Sequence, residues 1–359
     1  GRVGMPVTFR AGGTSLSGQA GGEGVLIDVR RHFSGFEILD DGARVRCEPG
    51  AVLQRVNAGL ARYGRRLGPD PASEIACTIG GVVANNSSGM TSGSAATAYH
   101  TMASAVFVLP SGTTIDTAAA DADAHLAACE PALHAALGQM RDEIRSDTRL
   151  RGIVEHQFSM KNTMGYALNA FLDHHEPVQI LAHLIVGSEG TLAYLASVDL
   201  ATVPAYPHVA TSLLVFDDIA RATSALPQIL DAGAKAAELM DARSLRVAQQ
   251  LRGAPEVMRD VQVDAHTALL VELQAAEEAE LEEQSQVLLG AVADANLSLP
   301  AQLSTDAPAR AAMWAVRKGL YPAVAGARPA GTTNLLEDGG VAPAAPAHPG
   351  VHVWQVFGA

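Results

Sequence analysis

Lysine is nearly absent from this chain, and acidic residues outnumber basic residues. Of 25 Lys and Arg residues only Lys161, Lys235 and Lys318 are lysines, and the formal net charge at pH 7 is −13. A nucleic-acid partner requires a basic surface that neutralises phosphates, and this composition does not supply one. We therefore expect no nucleic-acid partner, and we expect a small acidic substrate to need a local cation.

Cysteines and long apolar runs are also scarce. Cys47, Cys77 and Cys129 are widely spaced and odd in number, so they form neither a disulfide framework nor a CxxC metal motif. Apolar runs such as residues 182–186 fall far short of the ~20 residues that span a bilayer. We expect a cytoplasmic protein, at most peripheral to a membrane, with no transmembrane segment and no metal site that the sequence can name.

Residues 67–93 combine turn residues with almost no long charged side chains. Gly80 and Gly81 allow the main chain to approach a ligand closely, and short Ser, Thr and Asn side chains add donors and acceptors. Peptide N–H groups turned toward one point bind anions, so the loop suits a phosphate-rich cofactor. A polar connection between strands explains most such clusters, and the cofactor interpretation gains weight only from a second, similar stretch.

That second stretch is glycine-rich and covers residues 11–24, between apparent strands at residues 7–10 and 25–29. It is not a P-loop, because no Gly-Lys-Ser/Thr follows, and it does not open a helix as a GxGxxG motif does. The pattern is strand, glycine turn, strand. Downstream, we predict a helix over residues 161–172, and a strand over residues 183–186 that leads into a third glycine turn.

The pattern changes near residue 205 to alternating β and α segments. Strands are predicted at residues 210–216, 236–240 and 267–274, and helices at residues 217–232, 241–251, 275–295 and 308–320. This alternation predicts a second α+β domain whose antiparallel sheet is covered on one side by helices.

Four motifs in this order resemble one family: RAGGTSLSGQ at residues 10–19, the loop at residues 70–89, KNTMGY at residues 161–166 and GSEGTL at residues 187–192. The chain resembles the FAD-linked oxidases of the vanillyl-alcohol oxidase/p-cresol methylhydroxylase (PCMH-type) fold. It looks most like the D-lactate, D-2-hydroxyglutarate and glycolate dehydrogenases, including long forms with an added iron–sulfur domain.

The resemblance implies an α+β architecture in two parts. Residues 1–204 would form a PCMH-type FAD-binding domain, and we expect the natural protein to supply more of this domain upstream. Residues 205–359 would form a ferredoxin-like substrate (cap) domain, which we expect to be truncated, because relatives continue past residues 337–338 into a segment with active-site histidines. His348 and His352 do not match that segment, so the catalytic base stays unnamed.

The resemblance also implies noncovalent FAD, since Thr14 falls where some relatives carry a histidine that links covalently to flavin. The first two glycine loops would hold the pyrophosphate, and residues 187–191 would lie by the flavin. The implied cofactor-binding residues are Arg10, Gly12, Gly13, Thr14, Ser15, Ser17, Gly18, Gln19, Pro71, Ser73, Thr78, Gly80, Gly81, Asn85, Asn86, Ser88, Gly89, Lys161, Asn162, Gly187, Glu189, Gly190 and Thr191.

Residues 313–318, MWAVRK, match the family segment whose arginine meets the substrate carboxylate. Arg317 would therefore bind the substrate, because a guanidinium can grip a carboxylate through two parallel hydrogen bonds. An exposed arginine on an amphipathic helix is the alternative that the residues alone favour. His174 and His175, which precede Pro177, are interpreted as surface residues.

Three functions remain open at this point. The first is an FAD-dependent dehydrogenase that transfers hydride from a small D-2-hydroxy acid to flavin N5 and passes the electrons to an unidentified acceptor. The second is a non-catalytic flavin-binding fragment. The third, which the match around Arg317 disfavours, is a reductase of the same fold that takes hydride from a nicotinamide.

Overall fold

The computed structural model describes residues 4–15, 18–89, 91–93, 95–160, 162–251 and 253–327. Ser17 and Lys161 of the implied cofactor set, and also His348 and His352, lie outside the described residues. Contacts divide the chain into two compact units, Gly1–Ala205 and Tyr206–Ala359. In the described ranges, no helix combines the length and apolarity that a membrane crossing requires.

Unit 1 contains eight strands and eight α-helices among its described residues. The strands are β1 (Val7–Arg10), β2 (Val25–Asp28), β3 (Phe36–Leu39), β4 (Arg44–Cys47), β5 (Arg65–Leu67), β6 (Met102–Val108), β7 (Thr114–Asp116) and β8 (Tyr194–Pro204). The helices are α1 (Leu53–Leu60), α2 (Ile79–Ala84), α3 (Ala98–Thr101), α4 (Ala122–Cys129), α5 (Pro131–Ser146), α6 (Thr148–Phe158), α7 (Ala170–Asp173) and α8 (Pro177–Ile185).

A six-stranded antiparallel sheet forms the centre of unit 1. Its order is β3-β4-β8-β6-β7, and β5 pairs with the end of β8. Phe107 and Leu200 on the sheet are fully buried, as are Leu53, Leu126 and Ile180 on the covering helices α1, α4 and α8. One contiguous apolar core therefore supports both the sheet and the loops at its rim.

Strands β1 and β2 form a separate parallel pair joined by the glycine stretch at residues 11–24. Parallel neighbours usually need a helical crossover, so a glycine-rich turn in its place leaves this connection irregular and its amides available for other contacts. The predicted order of strand, glycine turn and strand is confirmed. Phe9 and Leu26 are each almost half exposed in this pair.

Two predicted elements of unit 1 are wrong. The helix expected over residues 161–172 is reduced to α7, because Gly165 takes φ +73° in the left-handed region, which ends any helix that would start upstream. The strand expected over residues 183–186 is the end of helix α8, which begins at Pro177. An apolar run that is buried on all sides has no periodicity to separate strand from helix, and the proline in the first turn was the missed signal.

Unit 2 is built on a four-stranded antiparallel sheet. Its elements are β9 (His208–Phe216), α9 (Ile219–Asp231), β10 (Ala236–Met240), α10 (Ala242–Gln250), α11 (Glu256–Arg259), β11 (Thr267–Ala275), α12 (Glu278–Val292), β12 (Leu303–Ser304) and α13 (Ala307–Ala327). The strand order β10-β11-β9-β12 is that of a ferredoxin-like β-α-β-β-α-β unit, as predicted.

Helices cover both faces of this sheet, so the predicted one-sided arrangement is wrong. Helices α9 and α12 pack on one face, where Val271 meets Ile229 and Leu288. Helices α10, α11 and α13 pack on the other face, which carries Leu270. Strand β11 is buried on both sides, which explains why it reads as a nearly continuous apolar run rather than as an alternating one.

A histidine stack in unit 1 connects α7 with α8. The rings of His174 and His183 are stacked with centroids 3.8 Å apart, and the Tyr99 ring meets His183 edge-on at 5.0 Å. His183 donates Nδ1–H to the Gln179 carbonyl, 2.9 Å away. His174 is half-buried, so its interpretation as a surface residue is wrong, whereas His175 is exposed as expected.

Burial is the main cause, and the neighbouring His174 the second, of a shift that lowers the pKa of His183 from 6.5 to about 4. His100 acts in the same direction, whereas Asp173 opposes the shift. The unfolded chain takes up a proton near pH 6.5 and the folded protein only near pH 4. Because the unfolded state binds more protons in this window, the free energy of unfolding falls as the pH falls through it.

We expect acidification from pH 7 to pH 4.5 to cost roughly 2 to 3 kcal/mol through His183. His183→Asn keeps a donor for the Gln179 carbonyl but cannot titrate, so its stability should depend less on pH. Urea unfolding of both proteins at the two pH values measures the difference, with the exposed His175→Asn as control. Equal losses of stability in the parent and His183→Asn would contradict the argument.

Candidate functional site

A cavity of about 570 Å³ in unit 1 is lined by parts of all three glycine turns. This volume lies within the range of small-molecule and cofactor sites. The predicted cofactor residues that line it are Gly12, Gly13, Thr14, Ser15, Gln19, Pro71, Ser73, Thr78, Gly80, Gly81, Asn85, Glu189 and Gly190. The predicted residues that do not line it are Arg10, Gly18, Asn86, Ser88, Gly89, Asn162, Gly187 and Thr191.

The first glycine turn lies directly against the second. A Cβ on Gly12 would stand 2.6 Å from the Ala76 carbonyl oxygen and 2.9 Å from Cys77 Cα. Behind the turn, Arg10 donates Nη1–H to the Ala20 carbonyl at 3.2 Å and fills the space where a Gly13 side chain would be. Arg10 therefore supports the turn from outside the cavity.

Gly80 and Gly81 at the start of α2 have different surroundings. A Cβ on Gly80 would lie 2.6 Å from Pro49 Cβ, and the Gly80 amide donates to the Pro49 carbonyl at 2.8 Å. A Cβ on Gly81 would lie 3.3 Å from Ala11 Cβ, the nearest atom. Gly80 thus serves packing within the protein, and Gly81 is the position where added bulk enters the cavity.

The third glycine turn is fastened to the end of α2. Gly187 donates its amide to the Val83 carbonyl at 3.0 Å, and Glu189 donates its amide to the Ala84 carbonyl at 2.8 Å. Asn85 Nδ2 donates to Glu189 Oε1 at 2.6 Å. These bonds hold two cavity-lining side chains, Asn85 and Glu189, against each other.

Most predicted residues that do not line the cavity contact other residues of the surrounding loops. Asn86 is buried and accepts the Tyr99 amide on Oδ1 at 3.1 Å. Thr191 Oγ1 and the Tyr166 hydroxyl are 2.7 Å apart. Gly89 lies against Asp70, whose carboxylate accepts the amides of residues 91 and 92. Burial raises the pKa of Asp70, and these hydrogen bonds oppose the shift.

Three residues that line the cavity carry a buried hydroxyl with no hydrogen-bond partner within the described ranges. They are Thr78 Oγ1, Ser188 Oγ and Tyr194 Oη. An unsatisfied buried hydroxyl costs about 1 to 3 kcal/mol, so each of these groups would gain from a polar ligand that reaches it. Neither Ser188 nor Tyr194 was predicted. Ser188 lies within the GSEGTL motif, which could have indicated it, whereas no sequence feature points to Tyr194.

The rest of the lining is apolar or uncharged. Phe9 and Tyr194 line one wall with ring centroids 4.3 Å apart. The described lining residues include no lysine, arginine or histidine. Burial raises the pKa of the Cys77 thiol to about 11, so this thiol is protonated at neutral pH and is not a nucleophile. Among the described lining residues the one carboxylate is that of Glu189, which accepts the Asn85 side-chain amide.

In unit 2, the predicted substrate residue Arg317 lies on α13 and forms an ion pair with Glu238 of β10. Its Nε and Nη2 atoms are both 2.9 Å from Glu238 Oε2, and the two side chains are only 15% and 19% exposed. About one helical turn earlier, Trp314 donates Nε1–H to Glu272 Oε2 at 2.5 Å. No sequence motif points to either carboxylate partner.

Comparison with known families and proteins gives consistent matches. Residues 2–118 match a family described as an FAD binding domain, and residues 206–348 match the C-terminal domain of FAD linked oxidases. Glycolate oxidase subunit GlcD of Escherichia coli (strain K12) is 28% identical over 331 residues, which are 90% of this chain and 54% of that protein. D-2-hydroxyglutarate dehydrogenase of the same strain is 25% identical over 249 residues, 68% of this chain and 24% of that protein.

Among solved structures, an alkyldihydroxyacetonephosphate synthase has a TM-score of 0.60 at 17% identity, covering 90% of this chain and 52% of the other. This likeness supports the fold alone. The chain spans about half or less of the length of these relatives. The two family matches follow each other in the order of the two units, and with the sequence relatives they show an FAD binding domain followed by the C-terminal domain of an FAD linked oxidase, in a PCMH-type fold.

Proposed function

We propose that this chain is the FAD-binding and substrate-binding part of a dehydrogenase that oxidises a small 2-hydroxy acid. The observation that carries the proposal is one cavity where three glycine turns meet and whose lining residues include three with unsatisfied hydroxyls. The sequence relatives named above, a glycolate oxidase subunit and a D-2-hydroxyglutarate dehydrogenase, support the class of substrate.

The lining of the cavity fits FAD. Short side chains and main chain at residues 12–15 leave room for a pyrophosphate, and Thr78 and Ser188 offer hydroxyls that have no other partner. Phe9 and Tyr194 provide an aromatic wall for a planar ring. The chemistry that FAD supplies when bound is acceptance of a hydride from the substrate carbon.

We assign the substrate carboxylate to Arg317. The guanidinium is planar and always charged, so it can bind and orient a carboxylate through two hydrogen bonds. Orientation of this group places the α-carbon, which loses the hydride, in a defined position. No residue of the described part is assigned as the base that takes the hydroxyl proton.

Anaerobic flavin reduction tests the proposed function. Purified protein loaded with FAD is mixed with glycolate, D-lactate, D-2-hydroxyglutarate and their L counterparts where these exist, and the flavin absorbance is followed. Bleaching by one or more D acids or by glycolate is the expected result. Bound FAD that no acid reduces would favour the non-catalytic flavin-binding fragment, and reduction only by a nicotinamide would favour the reductase.

Gly81→Val should weaken FAD binding about tenfold or more, because the added side chain enters the cavity beside Ala11. Gly152→Val on helix α6, where nothing lies within 4 Å, is the matched control and should bind as the parent does. Titration of each protein with FAD measures the dissociation constants. Parent-like binding by Gly81→Val would show that the backbone at Gly81 does not face the cofactor.

Thr78→Val should change stability and FAD affinity in opposite directions. Without FAD, removal of an unsatisfied buried hydroxyl should leave the melting temperature equal or higher, since valine has nearly the same shape. With FAD, the variant should bind several-fold more weakly, because the ligand loses a hydrogen bond worth about 1 kcal/mol. A lower melting temperature without FAD, together with unchanged affinity, would show that Thr78 is structural.

Arg317→Ala should slow anaerobic flavin reduction by a factor that corresponds to roughly 2 to 4 kcal/mol of transition-state binding. Arg317→Lys keeps the charge but loses the planar fork, so it should recover only part of the rate. FAD affinity should stay unchanged in both. Parent-like reduction by Arg317→Ala would contradict the assignment, and loss of FAD binding would mean that Arg317 is structural.

A further inference from the structure

Two carboxylates stand in an otherwise apolar area of the unit 2 sheet. Glu238 on β10 and Glu272 on β11 lie on the face that α13 covers, next to Leu270 and the rest of that apolar cluster. A carboxylate in such a place is costly unless it is paired. Glu272 is satisfied by Thr211, Gln274 and Trp314. Glu238 is paired with Arg317.

The two carboxylates hold α13 at points about one helical turn apart. Trp314 is tied to Glu272, and Arg317 is tied to Glu238. Arg317 Nε donates to Glu238 Oε2, and Nη2 lies 2.9 Å from the same oxygen, so the contact restrains the plane of the guanidinium as well as its position. The hydrogen bond from Trp314 to Glu272 holds helix α13 against the sheet, and the ion pair with Glu238 holds the Arg317 guanidinium in place.

We propose that Glu238 is a positioning residue for substrate binding: it holds the Arg317 guanidinium in the orientation that the substrate carboxylate meets. This inference rests on the proposed function, in which Arg317 binds that carboxylate. A long, flexible arginine without such a partner must be ordered by the substrate itself, and the lost side-chain entropy then weakens binding. The orienting contact requires an acceptor at Oε2 rather than a negative charge.

A different role for Glu238 would give the opposite result. If its charge competed with the substrate for Arg317, removal of the carboxylate would tighten anion binding. Glu238→Ala removes acceptor and charge together, whereas Glu238→Gln retains an acceptor oxygen without the charge. The positioning role therefore separates these two variants, and the competing role makes both bind more tightly.

Calorimetric titration of the FAD-loaded protein with oxalate measures carboxylate binding without turnover. We expect Glu238→Ala to weaken oxalate binding about tenfold and Glu238→Gln to stay within about threefold of the parent. Glu282→Gln, which removes the same charge from an exposed position on α12, is the matched control and should bind as the parent does. Oxalate binding by Glu238→Ala that equals or exceeds the parent's would overturn the proposal.

Flavin reduction by a hydroxy acid that reduces the parent adds a second readout. In Glu238→Ala the acid concentration for half-maximal rate should rise about tenfold, while the limiting rate stays within about threefold of the parent. A fall in limiting rate alone would overturn the positioning role. If Glu238→Ala shows no cooperative melting, Glu238→Asp replaces it, because the carboxylate that is one methylene shorter should weaken binding where Gln does not.

Arg317→Ala, titrated in parallel, separates the two proposals. If Arg317→Ala binds oxalate and is reduced as the parent is, the assignment of Arg317 fails and the inference falls with it. If Arg317→Ala is impaired and Glu238→Ala is not, only the inference fails. A parent protein that does not bind oxalate would overturn both.

Discussion

The close approach of two backbone turns is the constraint on which the candidate site depends. The first glycine turn lies so near Ala76 and Cys77 that no side chain fits at Gly12, and the start of α2 meets Pro49 with equally little space at Gly80. The third turn is then fixed to the end of α2 by main-chain hydrogen bonds from Gly187 and Glu189. The contacts at Gly12 and Gly80 are possible only because these two residues have no side chain.

This arrangement explains why the lining of the cavity is rich in short polar groups. Turns that pack through their backbones carry short hydroxyl and amide side chains, and the buried, unsatisfied hydroxyls of Thr78, Ser188 and Tyr194 belong to residues of this lining. In the proposed function a bound ligand would supply their missing partners, which would couple binding to stability at this site. Unit 2 uses the reverse strategy: the partly buried cation Arg317 is fixed by a carboxylate of its own sheet.

Local pattern was enough to predict much of the fold. Strands β1, β2, β9, β10 and β11 and the three glycine turns follow from turn residues and apolar spacing, whereas the ferredoxin-like order of unit 2 was implied by the family resemblance. Helix α8 was not predicted, because burial on every side removes the periodicity by which a helix is distinguished from a strand. The helices of unit 2 were predicted on one face of the sheet only. The apolar sequence of β11 shows that the strand is buried, but it does not show which elements cover each face.

The site was predictable as a set of turns but not as a set of contacts. Sequence could not separate Gly81, where a side chain would have only Ala11 within 4 Å, from Gly80 and Gly89, where a side chain would clash with Pro49 and Asp70. It could not find Tyr194 or Glu238 either, because each is in contact with a residue that is distant in sequence: Phe9 for the former and Arg317 for the latter. Such roles depend on tertiary packing, which no local spacing records.

The central claim, that three separate turns build one FAD site, is tested most directly by amide hydrogen exchange with and without FAD. The account predicts that FAD slows exchange together in residues 12–15, 78–87 and 188–190, and leaves the exposed helix α6 unchanged. Protection confined to one of these segments, or found only outside them, would contradict it.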